Sequence, residues 1–229
     1  FDLAAGSTGL NEKQLKAVGI DYLSSITHGG SHASYYPGAT ALSLKLLYAP
    51  DGRILGAQAV GAAGVDKRID VIATAIHGGL KVADLAELEL AYAPPFSSAK
   101  DPVNIAGYVA DNVLRGEQRL IQWHELPALP ADTQLVDVRT SAEFELGSIP
   151  GARHLELDTL RENLAKLDPA KPVVVFCQIG LRGYLASRIL QQAGFHDVRN
   201  LTGGYKTWSW AVEKQSNPDI FDYEDIKRR

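Results

Sequence analysis

A single cysteine occurs in this 229-residue sequence, and its neighbours are those of a nucleophile. Cys177 follows Val173-Val174-Val175-Phe176 and precedes Gln178-Ile179-Gly180-Leu181-Arg182-Gly183. The apolar run reads as a buried strand that delivers the thiol to its carboxyl end. A short glycine-containing turn then enters a helix, whose leading amides and positive terminus face the sulfur. Arg182 adds a guanidinium close by, and the combination favours a thiolate. A cysteine that merely packs in a core would need neither Gly180 and Gly183 nor an adjacent arginine, so the reactive reading outweighs the inert one. Cys177 and Arg182 are the catalytic candidates. The backbone of Gln178, Ile179, Gly180, Leu181 and Gly183 is the expected cradle for a sulfur-borne anion.

The elements needed to position this loop are legible around it. Leu135-Val136-Asp137-Val138, Val173 to Phe176 and Asp197-Val198-Arg199-Asn200 read as short strands, and stretches near 141–145, 182–193 and 205–213 read as helices. Strands alternating with helices form a parallel sheet covered on both faces. Asp137 and Arg139, at the end of a buried strand, are read as a paired scaffold for nearby loops rather than as catalytic groups.

Residues 1–114 have a different character. Ala41 to Tyr48 and Arg53 to Val60 read as a hairpin turned by Pro50-Asp51-Gly52. Val65 to His77 has helical periodicity and ends at Gly78-Gly79, and a further helix starts at Asp101-Pro102 and runs to about Leu114. The polar stretch 115–122 is the expected linker, 123–213 the second domain and 214–229 a polar tail. His28 and His32 lie among Gly and Ser, which reads as a surface loop rather than a metal site. No Gly-x-Gly-x-x-Gly follows a strand, so no dinucleotide fingerprint is expected in this chain. Ser34-Tyr35-Tyr36-Pro37-Gly38-Ala39 and the loop Ala91-Tyr92-Ala93-Pro94-Pro95-Phe96 are rich in tyrosine and proline; the pattern leaves both a ligand or partner surface and simple packing open.

Composition narrows the class. A net charge of -4 and a pI near 5.9 argue against nucleic acid as a partner. No run approaches the ~18 apolar residues of a membrane helix. One cysteine excludes an intrachain disulfide, and a soluble cytoplasmic protein is expected. A start at Phe1 and the absence of methionine are those of a piece of a longer protein.

Over about residues 118–213 the sequence resembles the rhodanese family. Asp137-Val138-Arg139, then Glu143-Phe144, then Gly147-Ser148-Ile149-Pro150-Gly151-Ala152, and finally Gly203-Gly204-Tyr205-Lys206-Thr207-Trp208 are similar to its motifs in order; Ser148 stands where a histidine is usual, at a structural position. Four residues separate Cys177 from Arg182. Cysteine phosphatases, including those of similar fold, have five and so make room for phosphate, whereas the shorter loop suits a sulfane sulfur. The resemblance implies a sulfurtransferase in which Cys177 takes sulfur from thiosulfate, a persulfide or a polysulfide and holds it as a persulfide.

From Phe1 to about Leu114 the sequence resembles the dimerisation domain of flavin-dependent coenzyme A disulfide and persulfide reductases, through the tyrosine segments, Gly64-Val65-Asp66-Lys67-Arg68-Ile69-Asp70 and Asn104-Ile105-Ala106-Gly107-Tyr108. That resemblance implies a homodimer, with FAD, NAD(P)H and coenzyme A used by the whole enzyme. It places Tyr92 toward the flavin, one of Tyr35 and Tyr36 toward the coenzyme A sulfur, and Lys100 toward coenzyme A. The fold expected is an antiparallel-sheet dimerisation domain followed by a rhodanese-like parallel-sheet α/β domain. The alternative is a non-catalytic sulfur-carrier docking and dimerisation module.

Overall fold

In the computed structural model the described residues are 2–216. The chain divides into two compact units, Phe1–Arg119 and the part from Leu120 onward.

The first unit is a four-stranded antiparallel sheet in the order β1-β4-β3-β2, formed by β1 (Ala4–Gly9), β2 (Leu23–Gly30), β3 (Ala41–Tyr48) and β4 (Ile54–Gly61). The expected hairpin is β3-β4, turned at Gly52, with Gly52 N donating to Ala49 O. Helix α1 (Glu12–Val18) is closed at its start by a reciprocal Asn11–Gln14 pair. One face of the sheet packs against α2 (Val65–His77) and α4 (Pro102–Leu114), and α3 (Val82–Glu87) packs on α4. Leu42, Leu44, Leu46 and Tyr48 alternate inward along β3 and meet Ile69 and Ile72 of α2 and Val103, Ala106 and Ala110 of α4.

Two strands of this unit lack a strong sequence signal. β1 is Ala-Ala-Gly-Ser-Thr-Gly and β2 carries Ser24, Ser25, His28 and two glycines, so neither shows β-branched enrichment. His28 therefore belongs to a strand and not to a surface loop: it is half-buried and its Nδ1 lies 2.8 Å from Ser43 Oγ on β3. His32 meets the Ser31 hydroxyl and the Pro37 carbonyl.

The unit's interior also contains a charge. Arg68, placed among the apolar positions of α2, is 1% exposed. Its guanidinium grips Asp101 at 2.9 Å, and donates to Ser31 O, Ser97 Oγ and Gly64 O. Asp101 meanwhile caps α4 through Val103 N and accepts from Ser97 Oγ at 2.6 Å. Burial opposes ionisation of Asp101, but the bonds from Ser97, Val103 and Arg68 outweigh it and hold the carboxyl below its ordinary range.

The second unit is a five-stranded parallel sheet, β5-β9-β8-β6-β7. Its strands are β5 (Leu120–Ile121), β6 (Gln134–Asp137), β7 (Arg153–His154), β8 (Val173–Phe176) and β9 (Val198–Leu201). Central β8 is buried on both faces. Val173 and Val175 join Leu160, Ala186 and Leu190 on one side, while Val174 and Phe176 join Ile121, Ile149 and Leu201 on the other. Helices α5 (Ser141–Glu145), α6 (Leu181–Gln192) and α7 (Gly204–Ser216) and the 3-10 segments Trp123–Ala128 and Leu157–Lys166 complete it.

The stretch expected as a linker, 115–122, is only partly one. Leu120 and Ile121 pair with Asn200 and Leu201 as an edge strand, and Ile121 is buried, so the second unit begins before residue 123. Two residues are too few to carry a periodic signal. Of the expected tail, residues up to Ser216 continue α7, and 217–229 lie outside the described residues.

Replacing Arg68 with Met keeps an unbranched apolar stem but leaves the buried Asp101 carboxylate with only the partly exposed Lys67, at 3.6 Å, as a cationic partner. Urea denaturation of Arg68→Met should show a loss of about 3–5 kcal/mol, and a loss below about 1 kcal/mol would mean that the pair does not hold this unit together.

Candidate functional site

Cys177 leaves the carboxyl end of β8 with its residue 1% exposed, in contact with the apolar core on one face of the sheet. The sulfur nevertheless has a polar partner: Gly180 N–H points back to Sγ at 3.1 Å. Gly180 has φ +123°, a backbone that side chains other than glycine's rarely adopt, and this turns its amide inward.

The loop is fastened from several sides. The first amides of α7 take its carbonyls, Tyr205 N to Cys177 O at 2.8 Å and Lys206 N to Gln178 O at 3.0 Å. Asn200 of β9 donates to Gly180 O, which also accepts from Tyr184 N within α6. This gives the Gly203-Gly204 motif its physical reason: a helix must start directly beneath the loop to satisfy it.

Leu181 and Arg182 are the first residues of α6, and Gly183 lies inside that helix rather than in the loop. Gly183 is required by close packing, since a Cβ there would collide with the Asn200 side chain. It is thus one step removed from the cradle in which it was expected. Gln178 receives Arg139 Nη1 on its side-chain oxygen at 3.2 Å, and Ile179 is exposed.

The positive charge that Arg182 was expected to bring near the sulfur is shared with a carboxylate. Its two terminal nitrogens donate to the two oxygens of Glu143 at 2.6 Å each. Glu143, from α5, is driven down to about 2, chiefly by Arg182, and Arg182 is held above its ordinary value, first by Glu143 and to a smaller extent by Cys177. Sequence reasoning had Glu143 in hand as part of a motif but assigned it no partner 39 residues away.

Asp137 and Arg139 form a buried bidentate pair at 2.7 Å. Ser148 Oγ donates to Asp137 at 2.7 Å, Arg139 donates to Gly147 O, and its guanidinium lies 4.1 Å from the Tyr205 ring centre. The pair touches the loop through Gln178, in keeping with a scaffold.

In the first unit the sequence-selected aromatic residues are brought together in part. The Tyr35 and Tyr92 hydroxyls lie 3.0 Å apart on exposed loops. The hydrogen bond with Tyr92 pushes the Tyr35 phenol above its ordinary range. Tyr36 instead stands edge-on to His32, and the Lys100 ammonium sits 5.4 Å from the Tyr108 ring centre. Lys100 also borders a small cavity of about 50 Å³ with His28, Gly29 and Ile105. Arg68 holds the bases of both loops, through Ser31 O and Ser97 Oγ, and sequence reasoning did not give it this role.

The two units together define a class: an antiparallel-sheet dimerisation domain of a disulfide oxidoreductase joined to a rhodanese-like domain. Residues 1–102 match the pyridine nucleotide-disulphide oxidoreductase dimerisation domain, and 122–211 match the rhodanese-like domain. The chain is 45% identical to reduced Bacillus anthracis CoADR-RHD, with a TM-score of 0.89 over 96% of this chain and 39% of that one. It is 41% identical to the NAD-dependent persulfide reductase from A. fulgidus, with a TM-score of 0.81 over 91% of this chain and 38% of that one. The coenzyme A disulfide reductase of Staphylococcus aureus is 46% identical over 111 residues, 48% of this chain and 25% of that protein. The chain thus carries these two domains and is homologous to the C-terminal part of coenzyme A disulfide reductase and of NAD-dependent persulfide reductase. It spans a quarter of the length of the curated relatives it matches and well under half that of the solved ones. Among the described residues no helix is long and apolar enough to cross a membrane.

Two outcomes follow for the sites. Gly183→Ala should destabilise the second unit by about 1–3 kcal/mol in denaturant titrations, because Asn200 must move; a neutral result would show that Asn200 is not held there. In ultraviolet pH titration, Tyr92→Phe should lower the Tyr35 phenol, because the bond that raises it is gone, while the buried Tyr48, raised by desolvation, stays where it is; an unchanged Tyr35 titration would dissolve the pair.

Proposed function

We propose that this chain is the C-terminal part of an FAD- and NAD(P)H-dependent coenzyme A disulfide, persulfide or polysulfide reductase, and that its second unit carries sulfane sulfur on Cys177. The supporting observation is the seat of the sulfur: the end of a central parallel strand, with the Gly180 amide aimed at Sγ and the loop carbonyls fixed by α7. A fixed amide there stabilises an anion without reorganisation. In the proposed step the Cys177 thiolate attacks the outer sulfur of a persulfide, R–S–SH. The donor's S–S bond breaks, its electron pair leaves with RS⁻, and Cys177–S–SH forms. Attack by an acceptor thiolate on that outer sulfur returns the Cys177 thiolate and yields the acceptor's persulfide.

For the first unit we propose homodimer formation and a contribution to the reducing site. The paired hydroxyls of Tyr35 and Tyr92, exposed and held from beneath by Arg68, suit hydrogen bonding to a thiol or disulfide sulfur, and Lys100 suits an anionic part of coenzyme A. The hydrogen-bonded geometry favours Tyr35 over Tyr36 as the tyrosine toward the coenzyme A sulfur. The flavin of the whole enzyme would supply the electrons.

Intact-mass spectrometry after incubation with polysulfide should show one sulfur atom added to the chain and none added to Cys177→Ser. Transfer of sulfur from thiosulfate or polysulfide to cyanide should vanish with the same substitution. Sulfur loading that survives the change, or turnover of an aryl phosphate in its place, would overturn the reading, and loading without transfer would favour the docking-module alternative.

A further inference from the structure

On one face of β9 a single position breaks the apolar pattern. Asn200 shares that face with Val198, which joins the cluster of Val175, Ala186 and Leu190, and it is 3% exposed. Its side-chain oxygen is buried without a hydrogen-bond partner among the described residues, and its side-chain nitrogen gives one bond, to Gly180 O at 3.1 Å. The reverse orientation would set two oxygens face to face, so the nitrogen is the atom turned to the loop. An unsatisfied buried amide oxygen costs about 1–3 kcal/mol, and asparagine is a poor strand former. Nothing in the sheet calls for this residue, and the one side-chain bond it makes goes to the loop.

Gly180 depends on that bond. A Cβ built on it would meet no neighbouring side chain or distant backbone within 4 Å, so packing does not hold it, and its φ of +123° and ψ of −34° lie where glycine alone moves freely. Three hydrogen bonds set it: its own N–H reaches Cys177 Sγ at 3.1 Å, while Tyr184 N at 2.9 Å and the Asn200 side chain both donate to its carbonyl. The first bond lies within the loop and the second is the ordinary opening bond of α6, so Asn200 supplies the tie from outside. Asn200 is held in turn, because Gly183 of α6 lies so close that any Cβ there would overlap the Asn200 side-chain oxygen. Strand, helix and loop therefore meet at one side chain, a single residue removed from the sulfur.

We infer that Asn200 is a positioning residue for the sulfur carrier: by holding the Gly180 carbonyl it keeps the Gly180 N–H directed at Cys177 Sγ, and its buried amide serves the loop rather than the sheet. The inference rests on the reading of Cys177 as a sulfur carrier. Asn200 touches neither the sulfur nor the donor and acts through Gly180. A hydrogen bond to a sulfur anion favours that anion, so loosening Gly180 matters most where the thiol is partly ionised and least where it is fully ionised.

Asn200→Leu puts methyl groups where the amide nitrogen and oxygen stand and removes the donor. Because Cys177 is the lone thiol of the chain, alkylation by iodoacetamide, a neutral reagent, reports on it alone. At about pH 7 the variant should react about threefold or more slowly than the wild type, and at about pH 10 the two rates should agree within about twofold. Sulfur addition from polysulfide, followed by intact mass, should slow at the lower pH as well. In a folded variant, equal alkylation rates at the lower pH overturn the inference, since Gly180 then stays in place without Asn200. A deficit that persists unchanged at the higher pH also overturns it, since only access to the sulfur has then changed. Should the variant fail to fold, the wild type decides: the side-chain amide signals of nitrogen-labelled Asn200 should shift in magnetic resonance spectra when Cys177 takes up sulfur, and signals that stay put overturn the inference. All three reversals leave the sulfur-carrier reading standing. A wild type that takes up no sulfur sinks that reading and the inference with it.

Discussion

A parallel strand buried on both faces must end somewhere, and at its end the backbone loses the neighbours that satisfied it. β8 meets this constraint at Cys177. Its carbonyl and the next one are taken by α7, the carbonyl of Gly180 by Asn200 and by α6, and the Gly180 amide by the sulfur itself. Unpaired, each such group would cost about 1–3 kcal/mol. The arrangement that avoids this cost also fixes an amide against a nucleophile, so satisfying the backbone and building the site are one operation. Asn200, Gly183 and the helix start after Gly203 matter to the chemistry without touching the sulfur.

Three arginine–carboxylate pairs perform different work because they differ in burial. Arg68–Asp101 and Arg139–Asp137 are almost wholly enclosed, and each arginine spends its remaining donors on loop carbonyls or side chains. Such pairs contribute little net attraction after desolvation, but removing one member leaves a stranded charge, and so they lock the loops they touch into one arrangement. Arg182–Glu143 is about one-third exposed on each side. It is screened more strongly and holds structure less firmly.

Much of the second unit was legible because its signals are local. Four consecutive apolar residues, a glycine turn and an amphipathic run mark β8, the loop and α6 without reference to anything distant. The paired Asp137–Arg139 scaffold was readable for a similar reason, since a single residue separates the partners at one strand end. What escaped depended on long-range pairing. Glu143 meets Arg182 across 39 residues and Arg68 meets Asp101 across 33, and one sequence carries no trace of either match. β1 and β2 escaped because small and polar residues suffice in strands whose partners supply the bulk, as Leu42, Leu44 and Leu46 do from β3. The tyrosines were selected by type and loop context; that Tyr35 rather than Tyr36 turns toward Tyr92 depends on the course of a loop whose base is set by Arg68.

The burial of Cys177 bears directly on the proposed chemistry. A thiol with almost no exposed surface is poorly placed to meet a bulky acceptor, yet the atom that an acceptor attacks in a persulfide is not Sγ. It is the outer sulfur, about 2 Å farther along the S–S bond. On the proposed reading, enclosure and reactivity do not conflict: the protein keeps the inner sulfur against the Gly180 amide and the core, and exposes only the atom to be transferred. The same enclosure shields the resting sulfur from indiscriminate oxidation, which depends on access as well as on charge. A loop with room for a phosphate would open the site to water and oxidants. The four-residue spacing between Cys177 and Arg182 keeps it small.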